Sequence, residues 1–148
     1  MRAVRTPLIA TVASALACLV AALLPWLRTG QATRSAFGLA RSASVLGLFD
    51  GAPRRICLAL WCLLPFMVAA TWTAAAAGRP LLAAGLGGIV GLISLAAGIL
   101  VIVLVRAESG SILAVAAGAA AVSASAFLVG SIKKGLASAE PPPEGASL

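Results

Sequence analysis

The sequence predicts an all-α, polytopic membrane protein, and two observations lead to this prediction. Of the 148 residues, 61% are hydrophobic and 10% are charged, and the mean hydropathy is +1.09, whereas a soluble domain averages about 45–50% apolar and about 25% charged residues. The apolar residues also form long runs without Asp, Glu, Lys or Arg, at 6–27, 56–78, 80–105 and 109–132. Water-soluble globular, disordered and fibrous chains are therefore excluded.

Each of the four runs is long enough to cross a bilayer as a helix, which takes roughly 20 apolar residues. Backbone polar groups in lipid must be hydrogen-bonded within the element, and this requirement favours helices. Short joints at Arg79-Pro80 and at residues 106–108 predict antiparallel pairs of helices. We expect a four-helix transmembrane bundle over residues 1–135 and a disordered tail, which contains Pro-Pro-Pro, at 136–148.

The first run allows three interpretations. Arg2 and Arg5 before an apolar stretch are typical of a signal peptide, and the Leu-Ala-Cys sequence ending at Cys18 is typical of a lipoprotein cleavage site. A lipoprotein turns polar after its cysteine, whereas residues 19–27 stay apolar here. This flank favours an uncleaved first span.

The positive charges barely distinguish the two sides of the membrane. Four crossings place both termini on one side, which carries five Lys and Arg residues against six on the other side. The N-terminal amine adds to Arg2 and Arg5 beside the first span, which favours cytoplasmic termini. We therefore predict a multi-pass protein of the plasma (inner) membrane with both termini in the cytoplasm.

The longest segment between spans, residues 28–55, is predicted to be partly helical. Its apolar and basic residues fall on opposite faces of a helix, with Phe37, Ala40, Val45 and Leu48 on one face and Arg34 and Arg41 towards the other. This pattern predicts a short amphipathic helix on the membrane interface whose arginines reach lipid phosphates. A cap over the end of the bundle, with no lipid or partner role, fits the pattern equally well.

The same segment carries a family resemblance. The first span ends in Trp-x-Arg-Thr-Gly, and the chain continues with Arg-Ser-x-Phe-x-Leu-x-Arg and Leu-Gly-Leu, at Trp26, Arg28, Thr29, Gly30, Arg34, Ser35, Phe37, Leu39, Arg41, Leu46, Gly47 and Leu48. The chain thereby resembles small four-span actinobacterial membrane proteins of mostly unknown function. One type that we associate with this group is an accessory subunit of the mycobacterial Mce lipid-import complex. The resemblance implies a role in lipid transport at the cell envelope.

The composition offers little for catalysis. The chain has no His and no Tyr and only four acidic residues. A serine nucleophile needs a neighbouring base, and ion-coupled transporters carry ionisable residues within their spans. Among the cysteines, Cys18 and Cys62 lie at similar depths, so that a pair is geometrically possible, but a role as small hydrophobic residues is favoured. We therefore expect neither an enzyme nor a cofactor or metal site.

Small residues and tryptophans supply the remaining candidates for contact with a partner. The third span contains a Gly-x-x-x-Gly unit that continues to a third glycine, and such residues let helix backbones approach closely in lipid. These glycines serve either as a docking face for another membrane protein or for packing among the four spans. The predicted contacts with a partner or with lipid are Arg34, Phe37, Arg41, Trp61, Trp72, Gly87, Gly91 and Gly98.

Two functions follow from these observations. The first is a non-catalytic accessory subunit that packs against a larger envelope or transport complex, for which the resemblance implies lipid import. The alternative is a small stand-alone homo-oligomeric channel or carrier for an uncharged solute. The net charge of +7 is spread over all the loops, where it anchors helices to anionic headgroups. The expected partners are therefore the lipid bilayer and another integral membrane protein, and not nucleic acid.

Overall fold

The computed structural model describes residues 2–29, 32–36, 38, 52–104 and 108–137. Within these residues the chain forms four long helices and a two-stranded hairpin: α1 (Arg2–Leu23), β1 (Pro25–Thr29), β2 (Ala32–Ser35), α2 (Ala52–Ala76), α3 (Pro80–Leu104) and α4 (Ser109–Ala137). All four helices are long and apolar enough to cross a membrane. The prediction of four helices that fit a multi-pass membrane protein is therefore confirmed.

The turn between α2 and α3 is built by a glycine and a proline. Gly78 has a φ of 68°, and its N–H donates to the Ala75 carbonyl at 3.2 Å, while the Arg79 N–H donates to the Ala74 carbonyl at 2.9 Å. These two hydrogen bonds satisfy carbonyls at the end of α2. Pro80 then begins α3, where the missing proline N–H has no helical partner to lose. The turn is therefore tight, as the sequence predicts.

The first helix ends earlier than the sequence predicts, at Leu23 rather than at residue 27. Pro25 has no N–H to donate to the Ala21 carbonyl, and its ring disfavours a helical residue before it. The Trp26 indole N–H donates to that carbonyl instead, at 2.7 Å. The prediction for residues 24–27 is wrong, because a proline stops this helix before the apolar run ends.

Beyond α1 the chain forms an antiparallel hairpin, which is not among the elements that the sequence predicts. In β1 and β2, Leu27 lies opposite Arg34 and Thr29 lies opposite Ala32. An irregularity between Pro25 and Leu27 interrupts the register at Trp26. A bulge of this kind redirects a side chain, and Trp26 is 1% exposed.

The predicted interfacial helix falls mostly outside the described residues. Ala36 and Gly38 are helical, and Ala36 is buried. Phe37 and Arg41 both lie outside the described part of the chain. The amphipathic helix therefore stays a prediction, and the hairpin replaces the first part of the segment that was expected to contain it.

The helices pack around the pair formed by α1 and α3. Helix α4 packs extensively against both, whereas α2 packs against α3 and, less extensively, against α1. Helices α2 and α4 therefore lie on opposite sides of this pair. Two apolar clusters form the core, one near the hairpin (Ala21, Ala22, Trp26, Ala36, Trp61, Leu64, Val101 and Ala114) and one deeper in the bundle (Ala15, Cys18, Val68, Val90, Ala117 and Ala121).

Candidate interface surfaces

The glycines of α3 face inwards. A Cβ atom on Gly91 would lie 2.8 Å from the Ala121 Cβ and 2.8 Å from the Gly118 carbonyl oxygen, and one on Gly98 would lie 2.9 Å from the Ser111 carbonyl oxygen. Both glycines therefore bring the backbone of α3 against α4, the arrangement that small residues permit in lipid. Of the two roles that the sequence left open, packing among the spans describes what this structure contains.

Gly87 lies where the four helices meet. A Cβ atom on this glycine would lie 2.5 Å from the Thr11 Cγ2, 3.4 Å from the Ser125 Oγ and 3.6 Å from the Thr71 Cγ2. These three neighbours come from α1, α4 and α2. Gly87, like Gly91 and Gly98, is buried and is not available to a partner in this arrangement.

Buried hydroxyl groups occur along the interior of the bundle. The buried polar residues of the described chain are Thr11, Ser14, Thr71, Ser94, Ser111 and Ser125. Four of them donate to a backbone carbonyl one helical turn earlier. The Ser94 and Ser125 hydroxyls have no hydrogen-bond partner of good geometry in the described chain, although Ser94 lies beside the Cys18 thiol. Hydroxyls of this kind can bind water or an uncharged polar molecule.

Trp26 closes the end of the bundle near the hairpin. Its ring packs edge-to-face on Trp61, with 5.1 Å between the ring centroids and 89° between the planes. Gly110 of α4 lies directly against the same indole, and a Cβ there would lie 2.6 Å from the Pro25 carbonyl oxygen. One side chain thus joins β1, α2 and α4. Trp61, predicted as a partner contact, is 5% exposed and packs mainly within the chain.

An apolar groove, called here the first groove, runs between α1 and α2. Its volume is about 360 Å³, and it is lined by Leu8, Ile9, Val12, Ala13, Leu16, Trp72, Ala75 and Ala76. Trp72, also predicted as a contact residue, is 55% exposed. The structure thus separates the two tryptophans of α2, one inside the bundle and one at its surface.

A second groove lies between α2 and α3. It has a volume of about 510 Å³ and is lined by Leu60, Trp61, Leu92, Ile93, Ala96, Ala97 and Leu100. Its leucines belong to the exposed large hydrophobic residues of the described chain. Neither groove was predicted, because residues from two helices form each of them.

The remaining sequence candidates do not come together. Arg34 is partly buried in β2, and Phe37 and Arg41 lie outside the described residues. Cys18 is buried and Cys62 is exposed, and neither forms a disulfide, so the geometrically possible pair is not made. Within residues 2–29, 32–36, 38, 52–104 and 108–137, no group of three or more His, Cys, Asp or Glu side chains is placed to hold a metal ion.

The fold and these surfaces fit the class of multi-pass membrane proteins. Comparison of the chain with protein-family models, with curated proteins and with solved structures finds no match. The actinobacterial resemblance therefore stays a prediction from sequence. The surfaces themselves are the evidence on which a function can be proposed.

Proposed function

We propose that the chain is a non-catalytic accessory subunit that packs against a larger membrane complex. The observation that supports this most directly is the second groove, which is concave and apolar. Ala96 and Ala97 provide its small side chains, whereas Leu60, Leu92 and Leu100 provide its large ones. A transmembrane helix of a partner protein fits a groove of this chemistry.

The physics of helix association in lipid favours such a site. Apolar side chains gain little by leaving lipid for a protein surface, so association depends on close packing, which small residues allow. From Leu92 to Leu100 the groove extends for about 12 Å along α3, which corresponds to two helical turns. The contact between α3 and α4, formed by Gly91 and Gly118, shows that this chain already uses the same principle internally.

The distribution of charge supports a role in binding a partner rather than in catalysis or ion-coupled transport. The charged side chains that the structure describes lie in β2, at helix ends or in joints, as Arg5, Arg34, Arg55, Arg79, Glu108, Lys133 and Lys134 do. The middle of each described helix presents apolar and hydroxyl groups instead. A subunit whose spans carry these groups can position a partner through shape alone.

Site-specific crosslinking in native membranes tests the proposal. A photo-crosslinking side chain at Leu100, in the second groove, is expected to give a protein adduct of defined mass. The matched control places the same group at Phe127, which is 68% exposed on α4 and outside the groove, and should react mainly with lipid. Crosslinking to lipid alone from both positions would contradict the proposed subunit role.

A substitution provides a second test. Ala96→Phe places a bulky side chain in the groove and is expected to reduce recovery of the partner after gentle detergent extraction. Ala119→Phe introduces the same bulk on the exposed face of α4 and should leave recovery unchanged. Equal recovery with both variants would show that the groove is not the docking surface.

The alternative, a homo-oligomeric channel or carrier, is supported by the Ser125 hydroxyl inside the bundle, which has no hydrogen-bond partner in the described chain. The same crosslinking distinguishes it, because an adduct between two copies of the 14.6 kDa chain would indicate self-association. Lipid import remains a narrower proposal that rests on the sequence resemblance. Identification of the crosslinked partner by mass spectrometry tests it.

A further inference from the structure

We infer that the first groove binds an anionic phospholipid, with an acyl chain in the groove and the phosphate held by Arg5 and Arg79. This site lies on the α1 side of α2, whereas the second groove lies on the α3 side. Because the two sites lie on different sides of α2, lipid binding in the first groove does not depend on the proposed subunit role.

The groove has the chemistry of an acyl-chain site. Leu8, Val12 and Leu16 of α1 face Trp72 and Ala75 of α2 across it. All its lining residues are apolar, and its volume of about 360 Å³ accommodates a segment of hydrocarbon. Such a groove is a poor binding site for water, because a bound water molecule needs several polar partners. The bilayer itself supplies hydrocarbon chains at this position.

One arginine from each side lies three residues beyond the lining residues at the same end of the groove, Arg5 before Leu8 and Arg79 after Ala76. Arg5 precedes Leu8 by three residues and Ile9 by four, so these residues share one face of α1. Arg79 follows α2 by three residues and is positioned by the hydrogen bond from its N–H to the Ala74 carbonyl. Both arginines are exposed. The planar guanidinium group matches a phosphate with two parallel hydrogen bonds.

The charge at this end favours an anionic headgroup over a zwitterionic one. Lys133 and Lys134 near the end of α4 lie at the same end of the bundle and are exposed. The described part of the chain contains one acidic residue, Glu108, which precedes α4 at the opposite end of the bundle. The positive charge of Arg5, Arg79 and Lys133 therefore lies at one end of the bundle and Glu108 lies at the other. Basic residues at a membrane surface attract anionic lipid for this reason.

Lipid binding at this site can be measured through the fluorescence of Trp72, since its ring lines the groove. The purified full chain is placed in phosphatidylcholine vesicles that contain either brominated phosphatidylglycerol or brominated phosphatidylcholine at equal mole fraction. Bromine quenches a nearby indole, and the Trp72→Phe variant gives the background from Trp26 and Trp61. We expect the phosphatidylglycerol to quench Trp72 more strongly, with a relative binding preference of roughly tenfold from two surface arginines.

Matched variants separate the two parts of the site. The double variant Arg5→Gln and Arg79→Gln should abolish the preference, whereas Arg55→Gln, which removes an exposed arginine at the opposite end, should retain it. Ala13→Phe fills the groove and should lower quenching by the anionic lipid. Ala119→Phe on α4 should not. Circular dichroism confirms the helix content of each variant.

Four outcomes would overturn the inference. Equal quenching by the two lipids in the unmodified chain would remove the anionic preference. A preference that survives the double arginine variant, or one that is insensitive to Ala13→Phe, would show that the groove and its arginines do not form the site. A preference that appears only when the chain is shortened to end at Ala137 would identify the acidic tail as the occupant.

Discussion

Helices α2 and α4 pack on the same pair of helices from opposite sides, and their inner faces differ in size. The buried face of α4 consists mainly of small residues, among them Ser111, Ala114, Gly118, Ala121 and Ser125, and Leu128 is its one large member. The buried face of α2 carries larger side chains on most of its length, Trp61, Leu64, Val68, Thr71 and Ala74. Both faces are apolar or hydroxyl-bearing, so the difference between them is one of volume rather than of polarity.

This difference in side-chain volume gives the bundle two unlike sides. The side where α4 packs on α3 is called here the closed side, and the side where α2 packs is called the open side. A Cβ on Gly118 would lie 2.7 Å from both the Gly91 carbonyl oxygen and the Leu95 nitrogen, so α3 and α4 touch through their backbones. Bulky residues hold α2 further from its neighbours, and a groove lies along each of its edges. In a bundle embedded in lipid, the closed side is occupied by the contact between α3 and α4. The grooves on the open side leave apolar surface that other molecules can contact.

The largest expected effect comes from adding bulk to the closed side. Gly91→Leu forces α3 away from α4, because even its Cβ would lie 2.8 Å from Gly118 and Ala121 atoms, and it is expected to lower the free energy of unfolding by more than about 3 kcal/mol. Gly85→Leu in the same helix meets no atom within 4 Å and should leave stability unchanged or slightly raised. SDS titration followed by circular dichroism measures both. Equal stability of the two variants would show that the α3–α4 contact does not limit the fold.

The next effect concerns the residue that joins the two sides. Trp26→Ala removes the edge-to-face contact with Trp61 and the hydrogen bond to the Ala21 carbonyl. We expect a loss of about 3 kcal/mol. Trp72→Ala, at a position 55% exposed, should cost much less. The same unfolding experiment compares them, and a larger loss for Trp72→Ala would contradict the placement of Trp26 in the core.

A smaller effect is expected on the open side. Leu64→Ala removes a side chain of α2 that is 0% exposed, and should cost about 2 kcal/mol, less than the tryptophan, because an aliphatic side chain loses fewer buried atoms than an indole. Phe66→Ala on the same helix removes a ring that is 72% exposed and should be close to neutral. Thermal unfolding in detergent measures the difference. If both variants were neutral, α2 would contribute little to the bundle.

The smallest effect distinguishes two buried hydroxyls of α4. Ser125→Ala removes a hydroxyl that has no hydrogen-bond partner in the described chain and should change stability by less than about 0.5 kcal/mol or raise it. Ser111→Ala removes a hydroxyl that donates to the Glu108 carbonyl at 2.9 Å and should cost about 1 kcal/mol. A marked loss for Ser125→Ala would reveal that this hydroxyl binds water or a solute, and would favour the channel or carrier.

The sequence predicts some parts of the candidate surfaces better than others. The Gly-x-x-x-Gly unit correctly indicates a close helix contact, but a sequence of small residues does not say whether the neighbour belongs to the same chain. Trp61 and Trp72 look alike in the sequence, yet one is buried and the other is exposed. The pair Pro25-Trp26 is the available signal for the end of α1, because a proline cannot supply the next helical hydrogen bond.

The number and approximate position of the four helices follow from the amino-acid sequence alone. Hydropathy and the need to satisfy backbone hydrogen bonds in lipid act within each segment, so no knowledge of neighbours is required. The faces that meet are known only from the three-dimensional packing, which places Gly91 against Gly118 and Trp26 against Trp61 and forms the two grooves beside α2. These contacts depend on the relative volumes of side chains on different helices, which no single segment contains.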